Sequence, residues 1–300
     1  MEFRPFRVRL ATRFRGVTER SGVLVRGRAA DGTEAWGEYS PFPDYDAERA
    51  SRWWRAAMEA ARGEWPAPVR SKVAVNSIVP EVGPEEAARL ATAGGCVVAK
   101  VKVGGRSSTL AEDIGRVEAV AAAVAAAGGA NARVRVDANG AWDADTAARS
   151  LAALERAATS GGVAGLEYAE QPCATLGELA ALRRRTPVRI AADESVRVPT
   201  DPLAVARAGA ADILVLKAAP LGGVRACLAV AEDAGLPVVV SSAMETSVGL
   251  AAGLALALAL PELPFACGLG TGALLAEDVV SDPLVPRGGI LEPRRLEVTA

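Results

Sequence analysis

The chain has 300 residues, 50% of them hydrophobic, and a formal net charge of −2 at pH 7. This near-balance of charge argues against binding to nucleic acid or to an anionic membrane surface. Only 4% of the residues are aromatic, which argues against stacking of bases. The chain contains no histidine, which excludes Ser-His-Asp triads, histidine bases and histidine-ligated zinc.

The four cysteines, Cys96, Cys173, Cys227 and Cys267, form no C-x-x-C pair. Their spacing predicts small buried residues in a reducing compartment. No apolar signal core opens the chain. The longest apolar stretch, residues 248–260, is shorter than the roughly 20 residues of a bilayer span. We therefore expect a cytoplasmic protein with a buried helix at 248–260, no membrane contact and no obligate protein partner.

Residues 1–70 alternate polar and apolar side chains in three runs, at 6–10, 22–28 and 34–39. Such alternation is typical of half-buried strands, and Asp31-Gly32 between the last two runs is a strong hairpin signal. A helix with clustered tryptophans is predicted over residues 47–62. Together these elements predict a small α+β domain, which a linker bearing proline and glycine joins to the rest of the chain.

From residue 71 to about residue 285, β-rich runs alternate with alanine-rich helical segments. Helix starts are marked by Pro84-Glu85-Glu86 and Asp143-Ala144-Asp145. Strand starts that recur every 25–35 residues, roughly, suit βα units. The eight predicted strands are residues 73–78, 97–103, 134–137, 165–170, 188–193, 212–217, 238–242 and 265–268.

Charged residues end the second to the sixth of these strands. An open, doubly wound sheet, the alternative fold, would gather charges only near its switch point. In a closed (β/α)8-type, modified TIM barrel, functional residues lie at the C-terminal ends of several strands. The pattern therefore favours an α/β barrel, and we expect residues 286–300 to leave it and return to the first domain. The strand-end residues are Lys102, Asp137, Glu170, Asp193 and Lys217.

Three of these residues, Asp137, Glu170 and Asp193, are carboxylates whose motifs contain no histidine or cysteine. Oxygen-only donors select a hard cation, and Mg²⁺ fits best, with Mn²⁺ able to substitute for it. The alternative for any one acid is a cap on the following helix. Three acids on adjacent strands favour a shared metal site.

The lysines suggest proton transfer next to a carboxylate. Lys100 and Lys102 share one face of strand two, because side chains alternate with a period of two. A lysine inside a closed barrel beside a like charge has a lowered pKa, which suits a general base. The alternative is a solvated strand end. Lys217 would face Lys102 from strand six, across the metal.

Further polar residues are candidates for binding or supporting roles. Arg135 alternates with the acid of strand three and either points inward or pairs with a core acid. Asn139 binds a ligand oxygen or holds an Asn-Gly turn, and Glu194 is predicted to support the neighbouring acid. Ser241 and Ser242 bind a substrate carboxylate or cap the next helix.

The segment 268–273 matches the G-x-G-x-x-A pattern of dinucleotide sites. Too little α/β chain follows it to build the second half of such a site. A glycine-rich turn that closes the mouth of strand eight is favoured instead, where Gly268 could contact an anionic ligand.

With these residues placed, the chain resembles the enolase superfamily, in particular its muconate-lactonizing-enzyme-like branch. The resemblance covers residues 72 to about 285, and the first 70 residues resemble the family's α+β capping domain. It implies a magnesium enzyme that acts on a small-molecule carboxylate. The matching motifs are Lys100-Val101-Lys102, Asp137-Ala138-Asn139, Glu170-Gln171-Pro172, Ala192-Asp193-Glu194-Ser195 and Lys217 with Gly222-Gly223.

Within the branch, segments 11–16 and 37–45 resemble capping-domain loops of the enzymes that form o-succinylbenzoate for menaquinone biosynthesis. The resemblance implies dehydration of 2-succinyl-6-hydroxy-2,4-cyclohexadiene-1-carboxylate through a metal-stabilised enediolate. Lys102 would remove the α-proton and assist departure of the hydroxyl, Lys217 would stabilise the intermediate as a cation, and Lys100 would tune Lys102.

Other activities remain as alternatives. The dipeptide epimerases of the branch usually carry an acidic D-x-D where this chain has Gly268-Leu269-Gly270, and mandelate-racemase-type relatives need a histidine. N-acylamino acid racemases and muconate cycloisomerases share the two catalytic lysines. A non-catalytic ligand-binding barrel is the last alternative, and the complete set of lysines and carboxylates argues against it.

Overall fold

The N-terminal part of the chain folds into an antiparallel sheet covered by one helix, in a computed structural model that describes residues 1–14, 17–106 and 108–299. The three strands pair in the order β1-β2-β3, and a turn at Asp31-Gly32 joins the last two. The predicted strands and helix of this region are confirmed. The elements are β1 (Glu2–Phe14), β2 (Val17–Arg28), β3 (Glu34–Tyr39) and α1 (Ala47–Ala61).

Helix α1 lies directly on the backbone of this sheet. A Cβ added at Gly37 would come within 1.9 Å of the Ala57 carbonyl oxygen, and one at Gly27 within 2.1 Å of the Ala61 carbonyl oxygen. Only glycine allows so close an approach between backbones. Asp46 begins the helix by accepting a hydrogen bond from the Arg49 amide at 2.9 Å.

The remainder of the chain is built on seven parallel strands, neighbours in sequence being neighbours in space. Their apolar residues are buried on both faces, as expected of a parallel sheet covered by helices. This confirms the predicted α/β architecture. The strands are β5 (Ser77–Val79), β6 (Val98–Lys102), β7 (Arg133–Asp137), β8 (Leu166–Glu170), β9 (Ile190–Ala192), β10 (Ile213–Leu216) and β11 (Val238–Val240).

The first and eighth predicted strands differ from expectation. The run 73–78 is divided between β4 (Val73–Ala74), which pairs antiparallel with β12 (Ile290–Leu291), and β5 in the barrel. Residues 265–268 form isolated parallel bridges, from Cys267 to Val75 and from Gly268 to Ser241. These bridges connect the two edges of the sheet. Next to these bridges, the Ala266 carbonyl accepts a hydrogen bond from the Arg135 side chain at 2.7 Å.

Helices follow most strands and cover the outside of the barrel. The predicted starts at Pro84 and Asp143 are confirmed, and Asp143 caps its helix by accepting from the Thr146 amide at 2.7 Å. In the described part of the chain, no helix combines the length and apolar character needed to span a membrane. The helices are α2 (Pro84–Ala91), α3 (Leu110–Gly128), α4 (Ala144–Ser160), α5 (Leu176–Arg183), α6 (Glu194–Arg197), α7 (Ala204–Arg207), α8 (Ala218–Leu221), α9 (Val224–Ala234) and α10 (Ser247–Ala259).

The C-terminal segment packs against the first sheet. Leu296 and Val298 join the apolar cluster that contains Phe6, Val8 and Leu24. Ile290 and Leu291, by contrast, pair with β4. We therefore propose that residues 71–285 form the barrel domain, and that the segment 286–300 leaves it after β12 to join residues 1–70.

Candidate active site

The charges that end five neighbouring strands meet at the C-terminal mouth of the barrel. Lys102 and Asp137 are paired in register as the last residues of β6 and β7, and Glu170 ends β8 beside Asp137. Asp193 follows β9, and Lys217 follows β10. No side chain of the five is more than 12% exposed. The fold therefore brings together the five residues that the sequence singled out.

Lys100 occupies the space between two of the carboxylates. Its Nζ donates a hydrogen bond to Glu170 at 2.8 Å and lies 3.2 Å from Asp137. The chain has four lysines, and three of them meet here, whereas Lys72 is exposed. A buried ammonium is costly unless it is paired. The three carboxylates therefore explain how the interior accommodates these lysines.

The two outer lysines each lie against one carboxylate. Lys102 Nζ donates to Asp137 Oδ2 at 2.5 Å and to Asn139 Oδ1 at 2.6 Å. Lys217 Nζ donates to Asp193 Oδ2 at 2.7 Å, and the other oxygen of Asp193 accepts from Arg197 Nε at 2.9 Å. Each ammonium at the mouth is thus held by a buried acid.

Burial and neighbouring charges move the pKa values of this group in different directions. Burial alone would raise the pKa of Asp137, but the charges of Lys102 and Lys100 outweigh it and hold that pKa well below its usual range. Burial dominates at Glu170 and raises its pKa to about 7 against the attraction of Lys100. Burial disfavours the charged form of Lys100, yet Glu170 and Asp137 keep its pKa above the ordinary value.

The pair formed by Asp193 and Lys217 is also shifted. Burial opposes ionisation of Asp193, but the charges of Arg197 and Lys217 hold its pKa below the ordinary value. The pKa of Lys217 is lowered, mainly by burial, and the charges of Arg197 and Lys100 add to this effect. The charge of Asp193 opposes this shift and favours the ammonium form of Lys217.

The chemistry of the donor set fits a hard divalent cation. Asp137, Glu170 and Asp193 supply carboxylate oxygens only, the ligands that Mg²⁺ prefers. As the side chains stand in the described residues, no group of three or more acids or cysteines is arranged around a metal position. Their oxygens bind ammonium groups instead. A cation would have to compete with the lysines for these oxygens.

Asn139 and Glu194 connect the two sides of the site. Asn139 adopts a left-handed backbone with φ of 48°, as its turn requires. Its Nδ2 donates to Glu194 Oε1 at 3.2 Å, and Glu194 also accepts from Arg197 at 2.6 Å. Asn139 therefore both holds the turn and contacts Lys102. Glu194 is connected to the site through its hydrogen bonds with Asn139 and Arg197.

Arg135 lies inside the barrel but outside the pocket. It is fully buried, donates to Glu167 at 2.6 Å and to Asn76 at 2.8 Å, and stacks over Tyr168. Of the two alternatives that the sequence left open, the pairing with a core acid is therefore present. Its hydrogen bonds to Ala266 and Asn76 place it among the residues that close the barrel.

Lys102 and Lys217 open onto one pocket at the barrel mouth. The empty space among its lining atoms, including the part open to solvent, is about 410 Å³. Ser241 and Ser242 line it, and Thr246 rather than either serine caps α10. Gly268 does not line the pocket, but its carbonyl accepts a hydrogen bond from Ser242 Oγ at 3.2 Å. Other lining residues are Phe42, Ile78, Lys100, Asp137, Asn139, Ala243, Met244 and Thr271.

Segment 37–45, assigned to a capping-domain loop, reaches this pocket. Phe42, from segment 37–45, lines it, and the Arg20 guanidinium lies 4.3 Å from the centre of the Phe42 ring. In segment 11–16, Arg15 and Gly16 lie outside the described residues. Sequence reasoning missed Thr271, although it falls in the glycine-rich segment, and Met244, for which no sequence signal exists.

The comparisons with known proteins identify the class to which this barrel and its cap belong. Residues 84–296 match the family model described as enolase C-terminal domain-like, and residues 6–61 match the one described as enolase N-terminal domain-like. The chain belongs to the enolase superfamily. Enzymes of this superfamily are typically Mg²⁺-dependent.

Relatives that are 47–57% identical to this chain carry one name. An o-succinylbenzoate synthase of Thermobifida fusca is 57% identical over 299 residues, which are 100% of this chain and 89% of that protein. The o-succinylbenzoate synthase of Mycobacterium ulcerans is 49% identical, with 96% of this chain and 82% of that protein covered. In fold, the L-Ala-D/L-Glu epimerase of Bacillus subtilis is similar, with a TM-score of 0.81, 24% identity, and 99% and 96% of the two chains covered.

Proposed function

We propose that this chain is a carbon–oxygen lyase that dehydrates 2-succinyl-6-hydroxy-2,4-cyclohexadiene-1-carboxylate to o-succinylbenzoate. The name shared by relatives that are 47–57% identical over nearly the whole chain supports the reaction. The observation that carries the mechanism is that two buried lysines, Lys102 and Lys217, line one pocket beside three carboxylates.

In this proposal, Lys102 is the base. Its neutral form accepts the proton from the carbon that bears the ring carboxylate, and the resulting ammonium gives that proton to the departing hydroxyl. Water leaves, and the ring becomes aromatic. The hydrogen bonds from Lys102 to Asp137 and Asn139 fix the direction from which the amine approaches.

Lys217 acts as a fixed positive charge in the same pocket. Asp193 holds its ammonium at 2.7 Å, so that it is oriented before substrate binds. A preorganised cation stabilises negative charge that develops on the substrate without further reorganisation, and it can lie over the face of the forming aromatic ring.

Asp137, Glu170 and Asp193 would hold the Mg²⁺ that is typical of the superfamily, with Mn²⁺ as a substitute. When bound, the ion supplies Lewis-acid stabilisation of the carboxylate next to the reacting carbon. The pocket wall formed by Ser241 and Ser242 supplies hydroxyl groups to polar parts of the substrate, and Phe42 from the cap helps to exclude water.

The test is a direct assay with purified protein and Mg²⁺. Formation of o-succinylbenzoate from 2-succinyl-6-hydroxy-2,4-cyclohexadiene-1-carboxylate is followed by absorbance. Lys102→Ala is compared with the control Lys72→Ala, which removes an exposed lysine. We expect turnover by the wild type and by Lys72→Ala, and its loss in Lys102→Ala. Full turnover by Lys102→Ala would refute the base assignment. Deuterium exchange into an N-succinyl amino acid without any dehydration would refute the proposed reaction in favour of a racemase.

A further inference from the structure

Arg197 links three parts of the molecule that the reaction needs in fixed positions. It ends the short helix α6, which begins immediately after Asp193. Its side chain is only 2% exposed. Nε donates to Asp193 at 2.9 Å, and Nη2 donates to Glu194 at 2.6 Å. One planar guanidinium therefore sets the relative positions of two neighbouring acids.

The third contact of Arg197 is with the capping domain. Its Nη1 donates to the phenol oxygen of Tyr45. The Tyr45 ring packs edge-on against Phe42 and Trp53, both in the same domain. Phe42 also lines the pocket. The phenol oxygen thus connects a well-packed aromatic group of the cap to an arginine of the barrel.

A second side chain of the capping domain reaches the same turn of the barrel. Arg52, on α1, donates to the carbonyl oxygens of Arg197 at 3.1 Å and Pro199 at 3.0 Å. The cap therefore contacts both the backbone and the side chain of Arg197.

From Arg197, hydrogen bonds continue to both proposed catalytic lysines. On one side, Asp193 accepts from Lys217 at 2.7 Å. On the other side, Glu194 accepts from Asn139 at 3.2 Å, and Asn139 accepts from Lys102 at 2.6 Å. A displacement of the guanidinium would therefore alter the surroundings of both lysines, whereas an arginine paired with one acid would affect only that acid.

We propose that Tyr45 and Arg197 are positioning residues, through which the capping domain sets Asp193 and the two lysines in their working geometry. This inference rests on the proposed function, because it takes Asp193 as a metal ligand. Partners that orient a metal ligand control metal affinity as well as turnover. Metal binding therefore provides a readout that does not depend on activity.

The experiment compares Tyr45→Phe with Tyr39→Phe in the full chain. Tyr45→Phe removes one hydroxyl and keeps the ring that packs on Phe42 and Trp53. The control removes the same group from a cap tyrosine whose ring packs edge-on against Trp54. Mn²⁺ binding to the metal-depleted protein is measured by electron paramagnetic resonance of the free ion, and kcat and KM are measured separately.

We expect Tyr45→Phe to weaken Mn²⁺ binding by about 2- to 10-fold, the effect of one lost hydrogen bond, and to lower kcat with little change in melting temperature. Arg197→Lys should weaken Mn²⁺ binding by roughly 10- to 100-fold. The double variant should bind Mn²⁺ no more weakly than Arg197→Lys alone, because the contact made by Tyr45 is already lost. Tyr39→Phe should match the wild type.

Two results would overturn the inference, and they are distinguishable. If the wild type binds no Mn²⁺, the proposed function and this inference both fail. If the wild type binds Mn²⁺ and Tyr45→Phe matches it in affinity and kcat, or if Tyr45→Phe only lowers the melting temperature, this inference alone fails.

Discussion

The buried lysine Lys100 offers a sharp test of the charge balance at the barrel mouth. Replacement by methionine removes the ammonium and keeps an unbranched chain of similar volume. In the wild type, Lys100 Nζ lies 2.8 Å from Glu170 and 3.2 Å from Asp137, and its side chain is 7% exposed. Asp137 keeps Lys102 at 2.5 Å. Among the described residues, Glu170 has no ion-pair partner besides Lys100. Replacement of Lys100 therefore removes the compensating charge mainly from Glu170.

The magnitude follows from breaking a buried ion pair on one side only. Leaving a buried charge uncompensated costs roughly 3–5 kcal/mol. Glu170 limits this cost by taking up a proton, since burial already raises its pKa to about 7 with Lys100 present. Without Lys100 its pKa in the folded state should rise further, whereas in the unfolded chain it returns to its ordinary value.

The direction in which the stability of Lys100→Met changes with pH follows from this shift. A carboxyl group whose pKa is raised by folding holds a proton that the unfolded chain releases, so stability falls as pH rises towards the folded-state pKa. We expect the destabilisation of Lys100→Met to be smallest at pH 6 and to grow by up to about 2.7 kcal/mol by pH 9. Each pH unit above 7 is worth about 1.36 kcal/mol while Glu170 is ionised in the wild type and protonated in the variant.

The assay is urea unfolding in EDTA at pH 6 and pH 9, with Lys72→Met as the control for loss of an exposed lysine. Added Mg²⁺ should restore stability to Lys100→Met, by about 2.7 kcal/mol at a concentration 100 times its Kd, because it supplies positive charge where the ammonium was. A variant as stable as the control at pH 9 in EDTA would refute the reasoning, and so would a loss of stability that Mg²⁺ does not reverse.

Three further substitutions test how the cap is attached and how the barrel is covered, each by urea unfolding. Gly37→Ala should destabilise by about 1–3 kcal/mol or more, since its Cβ would lie 1.9 Å from a helix carbonyl oxygen; unchanged stability would mean that α1 can move away. Gly177→Ala, in α5 with open space around the new methyl group, should stabilise by about 0.5–1 kcal/mol, and a loss would contradict the helix assignment. Glu38→Ala should cost about 1–3 kcal/mol, because the Thr246 and Gly249 amides at the start of α10 lose their acceptor; no loss would show that water replaces the carboxylate.

The sequence was sufficient to predict that the charges at the strand ends lie together in one site, because two local rules apply to these residues. An apolar run predicts a buried strand, and a charged residue at its end must find a partner. Asp137 and Glu170 obey both rules. The contact of Lys100 with these two acids depends on the register between β6, β7 and β8, which no local pattern determines.

Other features were outside the reach of local patterns for different reasons. Residues 265–268 have the composition of a strand but form only isolated bridges. The Ala266 carbonyl among them accepts a hydrogen bond from Arg135, which lies in the barrel interior. Arg197 lies four residues after Asp193, a spacing that pairs charges on a helix, and that signal could have been found. Its contact with Tyr45 joins residues 152 apart in the chain and depends on how the cap is placed.

The absence of histidine connects the stability of the barrel mouth to its chemistry. With no histidine in the chain, lysines are the proposed bases, and a buried lysine is retained only where carboxylates compensate its charge. The acids that stabilise Lys102 and Lys217 are Asp137 and Asp193, which are also proposed metal ligands. Replacing either acid removes a proposed metal ligand and takes an ion-pair partner away from a lysine. Loss of activity in such variants therefore does not distinguish the role of the acid as a metal ligand from its role as an ion-pair partner of a lysine. Metal affinity reports the first role and stability reports the second, so both should be measured together with turnover.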